Sequence, residues 1–289
     1  MANAATSWTV PFLGPDGAAT AESRALIIIN QPFSYDLLSK LWSNVSWRAC
    51  ADGGANRLHD ILVAHKGDFG FYRPDLIRGD LDSFRDDVRA VWSRLDVSIE
   101  RDPSQDSTDV MKCISALPDH ITEVVILGGF SGRLDHTIHI LALLHRLRND
   151  PAQRKYFVIT DDSLGWVLDA GAHEIHLPHP SLGASNSTVA HDEHSGNSLG
   201  TTCGILPVGI DKTILNTEGL QWNLVNAVSS FDGMVSTSNR YVAPMVRITT
   251  SRPVWWTVEV CLERKTGGYA RQPALGVHST VSFSLDERA

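Results

Sequence analysis

The spacing of apolar residues changes once along the chain, near residue 170. Before that point, short runs rich in β-branched residues alternate with segments in which apolar residues recur every three or four positions. Residues 25–30 have the composition of a strand buried on both faces, and Leu37, Leu38 and Leu41 fall on one face of the helix predicted after it. Strands and helices in alternation predict βαβ units and a mostly parallel sheet.

Beyond about residue 171 the helical period disappears. Residues 173–177 alternate, and short strand-like pieces around residues 205, 214, 220, 235 and 246 are separated by Gly, Pro, Asn and Asp. This pattern is typical of an antiparallel sandwich or a small barrel. We therefore predict an α/β fold, in which an N-terminal, mostly parallel α/β sheet domain is followed by a C-terminal antiparallel β-sandwich.

The predicted boundaries divide the chain into four parts. An N-terminal extension covers residues 1–24, the α/β domain residues 25–170, the β-sandwich residues 171–264 and a C-terminal tail residues 265–289. Residues 178–202 are rich in Ser, Asn, Gly and His and predict a long surface loop, and residues 277–285 have the pattern of a last strand. Nearby histidines without metal-ligand spacing are expected to be solvated, namely His173, His176, His179, His191 and His194.

Composition excludes several classes of protein. Of the 289 residues 43% are hydrophobic and 20% charged, as in a folded globular protein, and the formal net charge of −8 argues against a nucleic-acid binder. There is no secretory signal pattern and no apolar run long enough to cross a membrane. The four cysteines form no paired C-x-x-C motif, so we expect reduced thiols in a cytoplasmic protein.

Acidic residues follow the predicted strands, at the edge of a parallel sheet where ligands bind. Asp80 and Asp82 would point the same way on an extended chain and could share one Mg²⁺ ion, which prefers carboxylate oxygens. The alternative is that Asp82 and Ser83 cap a helix beginning near Phe84.

The next acidic segment allows two interpretations as well. Asp106 or Ser107 could cap a helix, and Asp109 in its first turn would favour the helix dipole. The same residues could instead bind a metal or phosphate.

Further along, a glycine-rich segment at residues 128–132 either brings backbone close to a phosphate or forms a tight turn. Arg133 beyond it could pair with phosphate or on the surface. The chain has neither the dinucleotide fingerprint nor a Walker A motif.

The order of these segments resembles that of the thiamine pyrophosphokinase family. The resemblance rests on DGGAN at residues 52–56, GDLDS at 79–83, QDSTD at 105–109 and GGxxGRLD at 128–135. In the second half, TEGLQWNL at 217–224 is similar to the family's G-L-K-W-N segment and VSTSN at 235–239 to its S-T-S-N segment. The resemblance runs from about residue 25 to residue 260.

The resemblance implies transfer of the terminal diphosphate of ATP to the hydroxyl of thiamine, giving thiamine diphosphate and AMP. It implies a homodimer with the active site between subunits. By motif, the implied roles are metal binding by Asp80, Asp82 and Asp109; catalysis by Asp80, Asp109 and Asp52; ATP binding by Gln105, Thr108, Arg133 and Asp135; and thiamine binding by Trp222, Ser236, Ser238 and Asn239. Either Asp80 or Asp109 would accept the hydroxyl proton.

Two departures and two alternatives accompany the resemblance. Gln221 stands where the family often has lysine, and residues 178–202 and the tail look longer than is usual. The alternatives are an ATP-dependent transferase acting on another small alcohol and a non-catalytic thiamine or nucleotide sensor.

Overall fold

A computed structural model describes residues 4–14, 21–178 and 198–262, and fifteen strands and five α-helices lie in these ranges. The strands are β1 (Thr6–Trp8), β2 (Arg24–Ile28), β3 (Trp47–Ala51), β4 (Leu76–Gly79), β5 (Ser98–Arg101), β6 (Glu123–Leu127), β7 (Lys155–Ile159), β8 (Ser163–Leu168), β9 (Gly171–His176), β10 (Leu199–Leu206), β11 (Lys212–Glu218), β12 (Ala227–Ser230), β13 (Ser236–Arg240), β14 (Met245–Thr250) and β15 (Val254–Val260). The helices are α1 (Tyr35–Trp42), α2 (Gly54–His65), α3 (Asp86–Arg94), α4 (Asp109–Ser115) and α5 (Leu134–Leu147).

Ten strands form one sheet in the order β13-β10-β15-β8-β7-β6-β2-β3-β4-β5. In this order, neighbouring strands from β7 to β5 are parallel. Neighbouring strands from β13 to β7 are antiparallel. The predicted mixed fold is thereby confirmed: a parallel α/β part precedes antiparallel strands, and one continuous sheet runs through both.

The second sheet, in the order β1-β9-β14-β11-β12, completes the sandwich. Its buried residues share one apolar core with the antiparallel half of the large sheet. Trp8 of β1 lies 5.7 Å from Trp166 of β8, measured between ring centroids, and Trp256 of β15 is fully buried beside it. Large apolar side chains from both sheets therefore fill the space between them.

Local sequence explains why the parallel strands lie where they do. All five residues of β2 are buried, because β3 and β6 pair with it on either side and helices cover the sheet. The helix after it begins at a serine cap, since Ser34 Oγ accepts a hydrogen bond from Leu37 N at 3.2 Å. That helix buries Leu37, Leu38 and Leu41 on one face, as the spacing predicts.

Several features differ from the sequence predictions. The predicted N-terminal extension contributes strand β1, which pairs with β9. The predicted loop at residues 178–202 is wrong at its C-terminal end, because β10 begins at Leu199. His173 is not a solvated loop residue: it is buried on β9, where its Nδ1 accepts a hydrogen bond from Trp8 Nε1 at 3.1 Å.

Some of the other predictions fall outside the described residues. These are the loop between 179 and 197, with His179, His191 and His194, and the strand at 277–285. The boundary near residue 170 stays a prediction, and β8 before it pairs with β15 beyond it. Among the described helices, none is long and apolar enough to span a membrane.

Candidate active site

Three carboxylates meet at the carboxyl edge of the parallel strands. Asp52 follows β3, Asp80 follows β4, and Asp109 is the first residue of α4, which packs against both strands. One oxygen of each carboxylate lies within 4.8 Å of those of the other two. Such a group of hard oxygen donors can hold a divalent cation.

Gly79, the last residue of β4, provides the space in which these carboxylates meet. A Cβ atom at this position would lie 2.7 Å from Asp52 Cβ and 3.0 Å from Asp109 Oδ1. Any larger residue would force these two side chains to shift from their positions in the cluster. The glycine in the predicted GDLDS segment is therefore explained by close packing.

The carboxylate of Asp52 is buried and incompletely hydrogen-bonded. Its Oδ2 accepts a hydrogen bond from Ser83 N at 3.2 Å, whereas its buried Oδ1 has no partner among the described residues. Burial raises the pKa of the Asp52 carboxyl, and the negative charge of Asp109 raises it further. A cation or a proton at this oxygen would relieve both effects.

Asp109 is held by two donors on one oxygen. Its Oδ1 accepts from Asp80 N at 3.3 Å and from Lys112 Nζ at 3.1 Å. The Lys112 side chain is only 2% exposed, so its positive charge lies in the protein interior next to Asp109. Lys112 was not among the predicted site residues, although a lysine at a core-facing position of α4 is a signal that could have identified it.

A cavity of about 290 Å³ opens at this cluster. It extends from the ends of β2 and β3 to α5, the helix that follows β6. The strand order reverses at β2, because β3 pairs on one side of it and β6 on the other. Open α/β sheets bind ligands at this topological position. The lining residues are Ile29, Asn30, Gln31, Ala51, Asp52, Gly53, Ser83, Thr108, Asp109, Val110, His136, His139 and Ile140.

Gln31 fixes the glycine-rich segment beside the cavity. Its Oε1 accepts hydrogen bonds from Gly129 N at 2.6 Å, Ser131 N at 3.3 Å and Ser131 Oγ at 3.1 Å. Gly128 and Gly129 have φ of +107° and +112°, a backbone conformation that favours glycine. Gln31 was not predicted, and its only signal is a polar residue directly after a buried strand.

Both helix-capping alternatives named the wrong residues. Helix α3 begins at Asp86 with Arg85 at its N-cap, so neither Asp82 nor Ser83 caps it. Helix α4 has Thr108 at its N-cap, rather than Asp106 or Ser107. The expectation that Asp109 lies in the first turn of this helix is confirmed.

Asp82 lies outside the three-carboxylate cluster. Its side chain is exposed, and its Oδ1 accepts a hydrogen bond from Ser83 Oγ at 3.0 Å. The chain is not extended here, because Leu81 has φ of +63° and turns it. The assumption that Asp80 and Asp82 point the same way on an extended chain is therefore wrong.

The residues predicted to bind ATP are divided between the cavity and its surroundings. Thr108 lines the cavity, and its Oγ1 is hydrogen-bonded to His139 Nε2 at 3.1 Å. Gln105 is exposed and donates to Pro103 O at 3.4 Å. Arg133 and Asp135 are exposed and form an ion pair with each other, and neither lines this cavity.

Comparison with known proteins matches the chain in two parts. Residues 38–156 match the family model described as thiamin pyrophosphokinase, catalytic domain, and residues 173–255 match its vitamin B1 binding domain. Thiamine pyrophosphokinase 3 of Oryza sativa subsp. japonica is 33% identical over 253 residues, which cover 82% of this chain and 86% of the relative. The chain belongs to the thiamin pyrophosphokinase family.

Solved structures of the family have the same fold. The crystal structure of yeast thiamin pyrophosphokinase superimposes with a TM-score of 0.74 at 25% identity, covering 90% of this chain and 92% of that one. The thiamin pyrophosphokinase of Candida albicans gives a TM-score of 0.72 at 24% identity, covering 89% and 93%.

The residues that the family resemblance assigns to thiamine lie within the vitamin B1 binding domain match. Trp222 is 55% exposed, and its backbone exchanges two hydrogen bonds with the side chain of buried Asn239. Ser236 is buried, whereas Ser238 is exposed and lines a second cavity of about 340 Å³. None of these four residues lines the cavity at Asp52 and Asp109.

Proposed function

We propose that this chain transfers the diphosphate group of ATP to the hydroxyl of thiamine, giving thiamine diphosphate and AMP. The observation that carries the proposal is the meeting of Asp52, Asp80 and Asp109 at the carboxyl edge of the parallel sheet, beside a cavity that Asp52 and Asp109 line. Membership of the thiamin pyrophosphokinase family, through both of its domains, supports the choice of substrates. We assign catalysis to residues 25–170 and thiamine binding to residues 171–264.

The three carboxylates fit a Mg²⁺ ion. They offer hard oxygen donors, and the buried Asp52 Oδ1 has no hydrogen-bond partner among the described residues. We propose Asp52, Asp80 and Asp109 as the protein ligands, while Asp82 keeps its proposed metal role from the family resemblance alone. The bound ion would neutralise charge that develops on the phosphate oxygens.

In the proposed reaction the thiamine oxygen forms a bond to the β-phosphorus of ATP. The bond from that phosphorus to the α,β-bridging oxygen breaks, and AMP leaves with this oxygen. A carboxylate near the thiamine hydroxyl accepts its proton, for which Asp80 and Asp109 are the candidates. Since Asp109 Oδ1 is held by two donors, the orientation of this carboxylate is fixed before substrate binds.

We further propose that the protein is a homodimer whose active site lies between subunits. Trp222, Ser236, Ser238 and Asn239 would then reach the reaction centre from the partner subunit. The exposed indole of Trp222 suits a cationic aromatic ring such as thiamine. Gln105, Thr108, Arg133 and Asp135 remain the proposed ATP-binding residues, and Thr108 is the one that lines the cavity.

The decisive experiment measures products with and without thiamine. Purified protein is incubated with ATP and MgCl₂, and AMP, ADP and thiamine diphosphate are separated by chromatography. We expect AMP and thiamine diphosphate in equal amounts, and only when thiamine is present. ADP with a monophosphorylated acceptor would identify another transferase, and binding of both substrates without any product would identify a sensor.

A further inference from the structure

The described wall of the cavity at Asp52 and Asp109 lacks the cations that usually bind phosphate. Among the described residues that line it, none is lysine or arginine. The cavity wall carries two imidazoles instead, those of His136 and His139. Imidazole N–H groups can donate hydrogen bonds to phosphate oxygens.

Both imidazoles project from one helix on the same side. His136 and His139 are three residues apart on α5, which places them on neighbouring positions of one helix face. His139 Nε2 is hydrogen-bonded to Thr108 Oγ1, and Thr108 directly precedes Asp109. The other nitrogen of His139 and both ring nitrogens of His136 have no hydrogen-bond partner among the described residues.

The neighbouring cations and the amide oxygens at the cavity wall are already engaged. Lys112 is buried against Asp109, and Arg133 pairs with Asp135 outside the cavity. Within the cavity, Gln31 Oε1 accepts from the glycine-rich segment, and Asn30 Oδ1 accepts from Arg57 Nε at 3.0 Å. Besides the amide N–H groups of Asn30 and Gln31, the two imidazoles are therefore the described lining side chains with donors left for a ligand.

We infer that His136 and His139 bind the phosphate oxygens of the nucleotide in this cavity. The three carboxylates at one side of the cavity repel a polyphosphate, so the oxygens that no cation covers need neutral or positive donors. Thr108 keeps the His139 ring in place. This inference rests on the proposed function only in taking a nucleoside triphosphate as the ligand.

The test is equilibrium binding of two nucleotides that differ in phosphate number. Isothermal titration calorimetry in MgCl₂ compares α,β-methylene-ATP, which resists cleavage at the proposed site, with AMP. We expect His136→Ala and His139→Ala each to weaken binding of the triphosphate by about 10-fold or more, the effect of one lost hydrogen bond to a charged group. Binding of AMP should change by less than about 3-fold, because most phosphate contacts are absent.

Two further variants separate phosphate binding from a structural effect. His139→Asn retains an N–H donor and should recover part of the affinity, and His120→Ala, at an exposed histidine outside the cavity, should bind like the wild type. Unchanged triphosphate affinity, or an equal loss for AMP, would overturn the inference. A wild type that releases no AMP with thiamine, but shows the expected binding losses, would disprove the proposed function and leave this inference standing.

Discussion

Two backbone positions decide which carboxylates meet. Asp52 has φ of +44° and Leu81 has φ of +63°, both in the left-handed region that residues other than glycine rarely adopt. The turn at Leu81 separates the side chains of Asp80 and Asp82, and Asp52 supplies the third carboxylate instead. Strain of this kind is typical of functional sites, where the surrounding structure maintains it.

The first prediction compares the two candidates for the third metal ligand. Asp52→Asn should weaken Mn²⁺ binding by about 10-fold or more, since it removes a carboxylate whose buried oxygen has no other partner. Asp82→Asn should have a smaller effect, because Asp82 is exposed and outside the cluster. Electron paramagnetic resonance of Mn²⁺ without substrates measures both affinities. A larger loss in Asp82→Asn would restore the metal ligands predicted from sequence.

The second prediction concerns Asp109→Asn. The amide oxygen can still accept from Asp80 N and Lys112 Nζ, so the fold should survive, as a thermal melt would record. We expect kcat/KM for AMP release to fall by roughly 10²-fold, the usual effect of removing one preorganised charged group. Near-normal turnover at saturating Mg²⁺ would contradict the role of Asp109.

The third prediction concerns the buried Lys112. Lys112→Met leaves the Asp109 carboxylate without its counterion, which should lower the free energy of unfolding by about 1–3 kcal/mol. The loss should be below that of a fully buried pair, because the Asp109 side chain is 33% exposed. Urea unfolding in EDTA measures it, and Lys212→Met at an exposed position serves as the control, with a change within about 0.5 kcal/mol. Equal stability of the two variants would exclude a structural role for Lys112.

Among the secondary-structure elements, sequence patterns predicted best where most residues of a strand are buried. The runs at β2, β6 and β7 are mostly apolar because other strands flank each of them, so each could be recognised alone. The acidic strand ends could be predicted as well, since parallel strands bring their carboxyl ends to one edge. Contacts between distant segments left no local signal, which is why β1, the Gln31 contacts and the two histidines of α5 were not predicted.

The fourth prediction concerns the attachment of β1. His173 is 4% exposed and neutral in this arrangement, since its Nδ1 accepts from Trp8 Nε1 while its Nε2 is 2.8 Å from Asp169 O. Burial lowers the pKa of His173, although the hydrogen bond to Asp169 and the charge of that residue oppose the shift. Because the pKa is lower in the folded state than in the unfolded chain, the stabilisation is present above the ordinary histidine pKa of about 6.5. It is lost as the pH falls through the lowered pKa.

Urea unfolding at pH 7.5 and pH 5.5 tests this expectation. Wild type should lose more stability on acidification than His173→Gln, whose side chain does not titrate. The exposed His120→Gln should behave like the wild type. The same pH dependence in wild type and His173→Gln would show that protonation of His173 does not limit the attachment of β1.

On the scale of the whole molecule, one sheet connects the two regions for which we propose different tasks. The cavity at Asp52 and Asp109 lies at the parallel strands, whereas Trp222 and Ser238 lie in the antiparallel half of the fold. None of the proposed thiamine residues lines that cavity. A shared site between two subunits would bring the two regions together, with each subunit contributing a different half.

The fifth prediction uses this division of residues between subunits. Asp109→Asn and Trp222→Ala should each be nearly inactive alone, because every site in either homodimer carries one defect. In a mixed dimer, one site carries both defects and the other carries neither. After complete subunit exchange of equal amounts, about half of the dimers are mixed, so AMP release should recover to about a quarter of the wild-type rate. If both residues acted within one subunit, every site would stay defective after mixing, and activity would remain at the sum of the separate variants.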